Sequence, residues 1–370
     1  MKSGLAILHA ITKHVYEMNS FLVRDIRRRN PFQIEYVPWI ARVYRYPINR
    51  WTSLARQALF GAPNFLLFWL YRKTFPIVPK GSFKYKLEDQ ERRIVFDGRN
   101  TQFSALYCDA YSGGYETHIA ALIELLLPLE GVFLDIGSNW GWFSLFVASI
   151  RGFRGQIHAF EPFPTSFKDL QSTVVQAGLD KQIKCHNLAL SEQAGNVSMF
   201  LPDKFQSGQA VMQDTHPGEI GRIQALTLDS LELAKVSMIK MDVEGSEAKV
   251  IRGAKKTLAR CQPMIVMENG RHFSEVRKTL DPFFLLQDSG YQFFHIAWLR
   301  KDQERPYLLG DDDDSDPKNA ETLSLMPFEP GERFLHANGM NVFACHQQKI
   351  GIINSLFQPA KLEKMQSPIV

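Results

Sequence analysis

The residues best suited to chemistry in this chain are an acid closing an apolar run, a glycine turn behind it, and a second acid closing a later run. Val132-Phe133-Leu134-Asp135-Ile136 leads into Gly137-Ser138-Asn139-Trp140-Gly141, and Ile157-His158-Ala159-Phe160 leads into Glu161-Pro162. That order describes a strand, a turn, a helix and a second strand holding a nucleoside. Gly137 and Gly141 let the backbone turn tightly and approach a ligand with no Cβ in the way, and a helix starting near Trp142 aims its free amides at a carboxylate or phosphate. Glu161, ending the second strand, is placed to accept hydrogen bonds from two adjacent ribose hydroxyls.

The spacing also selects the ligand. A dinucleotide turn reads G-x-G-x-x-G, and its second glycine admits the pyrophosphate; here the pattern is D-x-G-x-x-x-G, without that glycine. S-adenosylmethionine, which has a ribose and no pyrophosphate, fits better, so a nicotinamide-dependent oxidoreductase is the weaker enzyme alternative.

A second cluster, Ile239-Lys240-Met241-Asp242-Val243-Glu244-Gly245-Ser246-Glu247, carries three acids from a buried strand into a turn and a new helix. Asp242 belongs at the strand's carboxyl end, near the crevice that the glycine turn faces, and is a candidate for the chemistry. Glu244 and Glu247 carry less information, because a helix dipole stabilises acids in its first turn whatever else they do. The next run ends in Val266-Met267-Glu268-Asn269, followed by Arg271-His272, which brings another carboxylate and an imidazole to the same edge.

These residues need a scaffold. The chain has 370 residues, 45% hydrophobic and 22% charged, an ordinary globular composition with enough material for one large domain and an extension. Four dispersed cysteines, Cys108, Cys185, Cys261 and Cys345, show no metal-ligand spacing and read as free thiols in a reducing compartment. A cytoplasmic protein is expected. Alternating patterns predict strands at 132–135, 156–160, 183–189, 237–241, 263–267 and 291–295, with helices after most of them and at 117–127, and a last strand near 341–344 closing the sheet. The fold class is therefore α/β, a mostly parallel sheet with helices on both faces and ligands at the carboxyl ends of the strands.

Residues 1–80 read as a basic, mostly helical extension, ahead of a main domain at 81–350 and a tail at 351–370. Within the extension, Phe65-Leu66-Leu67-Phe68-Trp69-Leu70-Tyr71 is too short to span a bilayer and is flanked by Arg56, Arg72 and Lys73. Packing on the main domain is the favoured reading, with peripheral membrane contact the alternative. The run Asp311-Asp312-Asp313-Asp314 reads as a solvated insertion.

With Tyr115-Glu116, Asn187-Leu188-Ala189-Leu190 and Leu228-Asp229 added in order, the chain resembles the FkbM family of methyltransferases over roughly residues 105–300. The resemblance implies a class I methyltransferase fold, Rossmann-like, with a seven-stranded sheet. It also implies S-adenosylmethionine as donor and O-methylation of a hydroxyl on a sugar, glycan or polyketide-like metabolite. In that frame Asp135 ends the first strand, Gly137, Asn139 and Gly141 line the methionine portion of the donor, Glu161 holds the ribose, Asn187 lies near the adenine edge, and Tyr115 and Glu116 close one side of the pocket. The acceptor hydroxyl loses a proton, and Asp242, Glu268 and His272 are the groups that could take it; the carboxylates are favoured because they end adjacent strands. Asp242, Glu268 and Asn269 also resemble an oxygen set that holds magnesium in some O-methyltransferases, although the metal-free reading is favoured. No nucleic-acid partner is expected. The reading from a different class is a non-catalytic module docking on a membrane or anionic polymer through the basic segment.

Overall fold

The structure, a computed structural model, describes residues 17–23, 26, 29–38, 79–98, 100–108, 114–200, 211–213, 222–299, 322–335 and 339–363. The apolar run at 65–71 and the aspartate run at 311–314 lie outside the described residues. Among those described, no helix is long and apolar enough to cross a membrane.

Along the chain come β1 (Glu17–Val23), β2 (Phe32–Tyr36) and the hairpin β3 (Lys80–Leu87) and β4 (Gln90–Asp97). A short 3-10 turn over Thr101–Leu106 leads to α1 (Thr117–Leu126), β5 (Val132–Ile136), α2 (Trp142–Ala148), β6 (Gln156–Phe160), α3 (Pro164–Gln176) and β7 (Ile183–His186). Four short strands, β8 (Ala189–Leu190), β9 (Gly195–Phe200), β10 (Val211–Gln213) and β11 (Arg222–Leu226), form a separate small sheet. The alternation then resumes with β12 (Met238–Met241), α4 (Glu247–Arg252), α5 (Lys255–Cys261), β13 (Met264–Glu268), α6 (Val276–Asp288) and β14 (Tyr291–Leu299). Last come β15 (Thr322–Phe328), β16 (Asn341–His346), α7 (Ile350–Leu356) and β17 (Gln358–Glu363).

The large sheet has the order β17-β1-β15-β14-β16-β13-β12-β5-β6-β7. From β13 to β7 the strands run parallel. The reversed β16 sits between β13 and β14 and pairs antiparallel with both. Seven strands, β14-β16-β13-β12-β5-β6-β7, thus carry the order and single reversal of a class I methyltransferase fold. The sheet continues past seven, because β15, β1 and β17 add antiparallel beyond β14. The expected strand near 341–344 exists as β16, and it is inserted within the sheet rather than closing an edge. Both described strands of the N-terminal segment, β1 and β2, are extended where helix was expected, and the expected tail supplies α7 and β17.

The central strands are apolar throughout because both faces are covered. Phe133, Met238 and Val266 face α1, α2 and α3 through Leu122, Leu145 and Leu170, while Leu134, Ile239 and Ile265 face α4, α5 and α6 through Val250, Leu258 and Phe283. Each such buried side chain contributes about 1.5–3 kcal/mol relative to exposure. Against this layer the hairpin β3-β4 is fastened at two points. The buried Tyr85 hydroxyl donates to the Leu145 carbonyl at 2.9 Å, and the Gln176 carboxamide pairs with both the N–H (2.8 Å) and the carbonyl (3.0 Å) of Val95. Phe103, just after the hairpin, stacks on Trp140 with centroids 4.8 Å apart, so the hairpin side of the molecule backs the glycine turn.

Candidate active site

The crevice is built where β5, β6, β12 and β13 end together. Gly137 and Ser138 both donate their N–H to the Phe160 carbonyl (2.9 and 3.0 Å), Glu161 donates to His186 (3.0 Å), and Asp242 donates to Ile136 (2.9 Å), so neighbouring strand ends are knitted side by side. Gly137 has φ +80° and a Cβ there would lie 1.8 Å from the Asp242 carbonyl oxygen; no other residue permits that approach. Asn139 and Gly141 are also left-handed, at φ +50° and +94°, and Asn is the non-glycine residue that tolerates this best. The backbone then enters α2, a short helix with every residue buried.

Glu161 is buried and holds the turn in place. Its Oε2 accepts from the Asn139 N–H and its Oε1 from the Phe163 N–H, both at 2.8 Å. Burial pushes its carboxyl up to about 7, against the pull of those two amides. Each carboxylate oxygen keeps a second lone pair for a ligand. Asp135 is fully buried on the other side of the turn, its Oδ2 accepting from the Ser144 hydroxyl at 2.6 Å, and burial raises its pKa in spite of Lys240 and Ser144. Asn187 is exposed and ties the loop after β6, donating its amide to the carbonyls of Glu161 (2.9 Å) and Pro162 (3.1 Å).

Asp242 and Glu268 are neighbours, as the strand order required. Met241 pairs with Met267, which places the following residues, Asp242 and Glu268, side by side at the strand ends. Lys240, buried in β12, donates to Asp242 Oδ2 at 3.1 Å and lies 4.9 Å from the centre of the Phe143 ring. Burial opposes the lysine's charge, and Asp242, Glu116 and Asp135 overcome it, holding the ammonium above its ordinary range. Asp242 foremost, then burial and Glu116, push the Glu268 carboxyl up to about 9. Glu116 therefore belongs to this group; it sits at the start of α1 with φ +44°.

His272 stands apart from the carboxylate pair. Its N–H backbone donates to Thr279, and its ring Nε2 lies near Gly270 and against the Glu244-Gly245 turn, where a Cβ on Gly245 would come within 3.4 Å. Burial, then Lys278, lowers its pKa, so the ring is a neutral group at the rim. Glu247 accepts from the Gly245 N–H at 2.9 Å and is buried, which makes it part of the turn, and burial pushes its carboxyl up to about 7. Among the described residues, no group of three or more His, Cys, Asp or Glu side chains is arranged to hold a metal ion.

Two contributors escaped the sequence reading. Ser144 lies in α2, and nothing in its local pattern marks it as the partner of Asp135. Lys240 was legible: a charged residue inside an apolar strand, two positions from Asp242, must share a face with it.

The buried polar atoms on the turn fit a nucleoside donor. Asp135 Oδ1, Ser138 Oγ and Asn139 Oδ1 are all buried and have no hydrogen-bond partner among the described residues, an uncommon concentration of unmet polar capacity around one strand end and its turn. An S-adenosylmethionine-type ligand supplies such partners through its amino, carboxylate and ribose groups, and Glu161 closes the set.

Fold and crevice together have the arrangement of the class I methyltransferase fold. Residues 133–293 match the methyltransferase FkbM domain. Methyltransferase 1 of Beauveria bassiana (strain ARSEF 2860) is 28% identical over 150 residues, which cover 34% of this chain and 59% of that protein. Among solved structures, the FkbM methyltransferase of Methylobacillus flagellatus KT is similar at 16% identity with a TM-score of 0.34, covering 54% of this chain and 44% of that one. Fibrillarin of Aeropyrum pernix, solved with bound S-adenosyl-L-methionine, is 17% identical with a TM-score of 0.31, covering 67% of this chain and 94% of that one.

Proposed function

We propose that the protein is an S-adenosylmethionine-dependent O-methyltransferase acting on a hydroxyl of a sugar, glycan or polyketide-like metabolite. The observation that carries the donor is the turn itself, with three unpaired buried polar atoms beside the ribose-ready Glu161. Gly137, Asn139 and Gly141 would shape the methionine end and Glu161 would hold the ribose, while Asn187 fixes the loop at the adenine side. When bound, the donor supplies an electrophilic methyl group on a positively charged sulfur.

The acceptor is supported by the two carboxyl groups at adjacent strand ends. A neutral hydroxyl is a poor nucleophile, and a carboxylate taking its proton as the new O–C bond forms contributes on the order of 100-fold or more. Asp242, which accepts from Lys240 at 3.1 Å, suits that task, and positioning the oxygen in line with the breaking C–S bond supplies much of the rest.

The test uses donor labelled in its methyl group. Calorimetry should show binding of S-adenosylmethionine and of its demethylated product, and comparison of glycans and hydroxylated metabolites with and without the protein should show label in an ether methyl group. Binding of a nicotinamide dinucleotide in place of both would overturn the donor. Label recovered only on nitrogen or carbon would overturn the hydroxyl acceptor.

A further inference from the structure

Five acids and one lysine share a small region at the carboxyl end of the sheet. Side chains alternate along a strand, so Asp135 of β5 and its register partner Lys240 of β12 point to the face on which Phe133 and Met238 pack, and Asp242, two residues on, points there too. Glu268 stands beside Asp242 by the pairing of Met241 with Met267. Glu116 reaches the same place from the start of α1, and Glu244 adds charge from the turn after β12. On its other flank Glu268 pairs in register with Asn341 of β16, which is uncharged. Among the described residues Lys240 is the cation that acts on Glu268, and it also pairs with Asp242.

Carboxyl groups at adjacent strand ends, with one ammonium beside them, do not all ionise; they hold a proton in common and release it when a positive charge arrives. The Gly137 turn touches the Asp242 backbone directly, so a ligand seated on the turn lies beside the pair. The two forms of the donor differ in one respect that such a pair can sense. S-adenosylmethionine has a positively charged, methylated sulfur and S-adenosylhomocysteine a neutral one without the methyl, with every other group the same.

We propose that binding of the positively charged donor expels one proton from the Asp242–Glu268 pair, and that the pair recovers a proton from the acceptor hydroxyl as methyl transfer removes that charge. The inference rests on the reading of the crevice as a donor site. It balances: the acceptor oxygen forms the O–C bond, the C–S electrons stay on sulfur, the hydroxyl proton goes to the pair, and the crevice keeps its net charge. Burial and the neighbouring acids already hold Glu268 up to about 9, so near pH 8 the pair carries the proton to be lost. The consequence is selectivity, with product bound less tightly than donor as pH rises, which favours turnover.

Calorimetry of wild-type protein in phosphate and in Tris at pH 8 counts protons released by each ligand. Ribose and amino-acid contacts are common to both and cancel in the difference. S-adenosylmethionine should release about one proton more than S-adenosylhomocysteine, and the ratio of their affinities should rise by up to about tenfold per pH unit from pH 7 to 9. Glu268→Gln should still bind the donor and lose the difference, with Asp242→Asn as the second variant and a melting curve confirming that each is folded. Equal proton release by the two ligands in the wild type overturns the proposal, as does a difference that survives in both variants. Absence of binding by either ligand is a separate result, which overturns the donor reading and this inference with it.

Discussion

Replacing Glu161 with glutamine separates ligand binding from folding, because the same carboxylate serves both. Its pKa rises from an ordinary 4.5 to about 7 on burial. That difference, at about 1.4 kcal/mol per pH unit, makes the folded protein about 3 kcal/mol less stable at pH 8 than it would be with the carboxyl neutral. The sign follows from a raised acid pKa: stability is highest below pH 4.5, where the carboxyl is neutral in both states, and falls as pH climbs through 7, where the penalty is fully developed. Glutamine removes the penalty. Its single carbonyl oxygen can serve only one of the two N–H groups of Asn139 and Phe163, and leaving the other unsatisfied costs about 1–3 kcal/mol, so the two effects nearly offset at pH 8. Binding has no such compensation. Weakening two ribose hydrogen bonds to a charged acceptor costs about 2–4 kcal/mol, which raises Kd for donor and product alike by roughly 30- to 700-fold. In the wild type both affinities should also fall below pH 7 as Glu161 takes up a proton, and in Glu161→Gln they should not. Calorimetry with both ligands and melting curves from pH 5 to 8 give the comparison. Affinities within fivefold of wild type, together with an unchanged pH dependence of melting, would refute the role of Glu161.

The donor side was legible in the sequence because its logic is local. An apolar strand, a turn that requires left-handed residues, and an acid at the next strand end all lie within one stretch, and Gly137, Asn139 and Gly141 have φ values of +80°, +50° and +94° in the structure. The placement of Asp242 and Glu268 was legible, since parallel neighbours must end at the same edge. The raised pKa of Glu268 was not, because it depends on Asp242 across the strand pairing, on burial and on Glu116 arriving from a helix far away in sequence. The sheet's antiparallel edge was hidden for a different reason. Pro327 lies in β15 and Pro359 in β17, and proline within a run argues against a strand. The strand after β6 was expected to run through Ala189 and stops at His186, where Asn187 turns aside to tie down the Glu161 loop and β8 joins the small sheet instead.

Two further outcomes test the site. Gly137→Ala should cost about 3 kcal/mol or more, since a left-handed alanine is strained and its Cβ meets the Asp242 carbonyl at 1.8 Å, whereas Gly195→Ala, with nothing within 4 Å, should stay near wild type in the same urea titration. Equal midpoints for the two would show that the close approach of β5 and β12 is not required. Asp242→Asn probes the chemistry. The carboxamide oxygen can still accept from Lys240, so the fold and the Kd for donor should hold, but an amide cannot take a proton from a hydroxyl and turnover should fall by on the order of 100-fold or more. The readout is labelled methyl transferred to whichever acceptor the wild type modifies, with donor binding measured on the same sample. Loss of turnover and of donor binding together would make Asp242 a binding residue, and full turnover would leave proton removal to Glu268, whose ionisation above pH 8 would then set the rise of rate with pH.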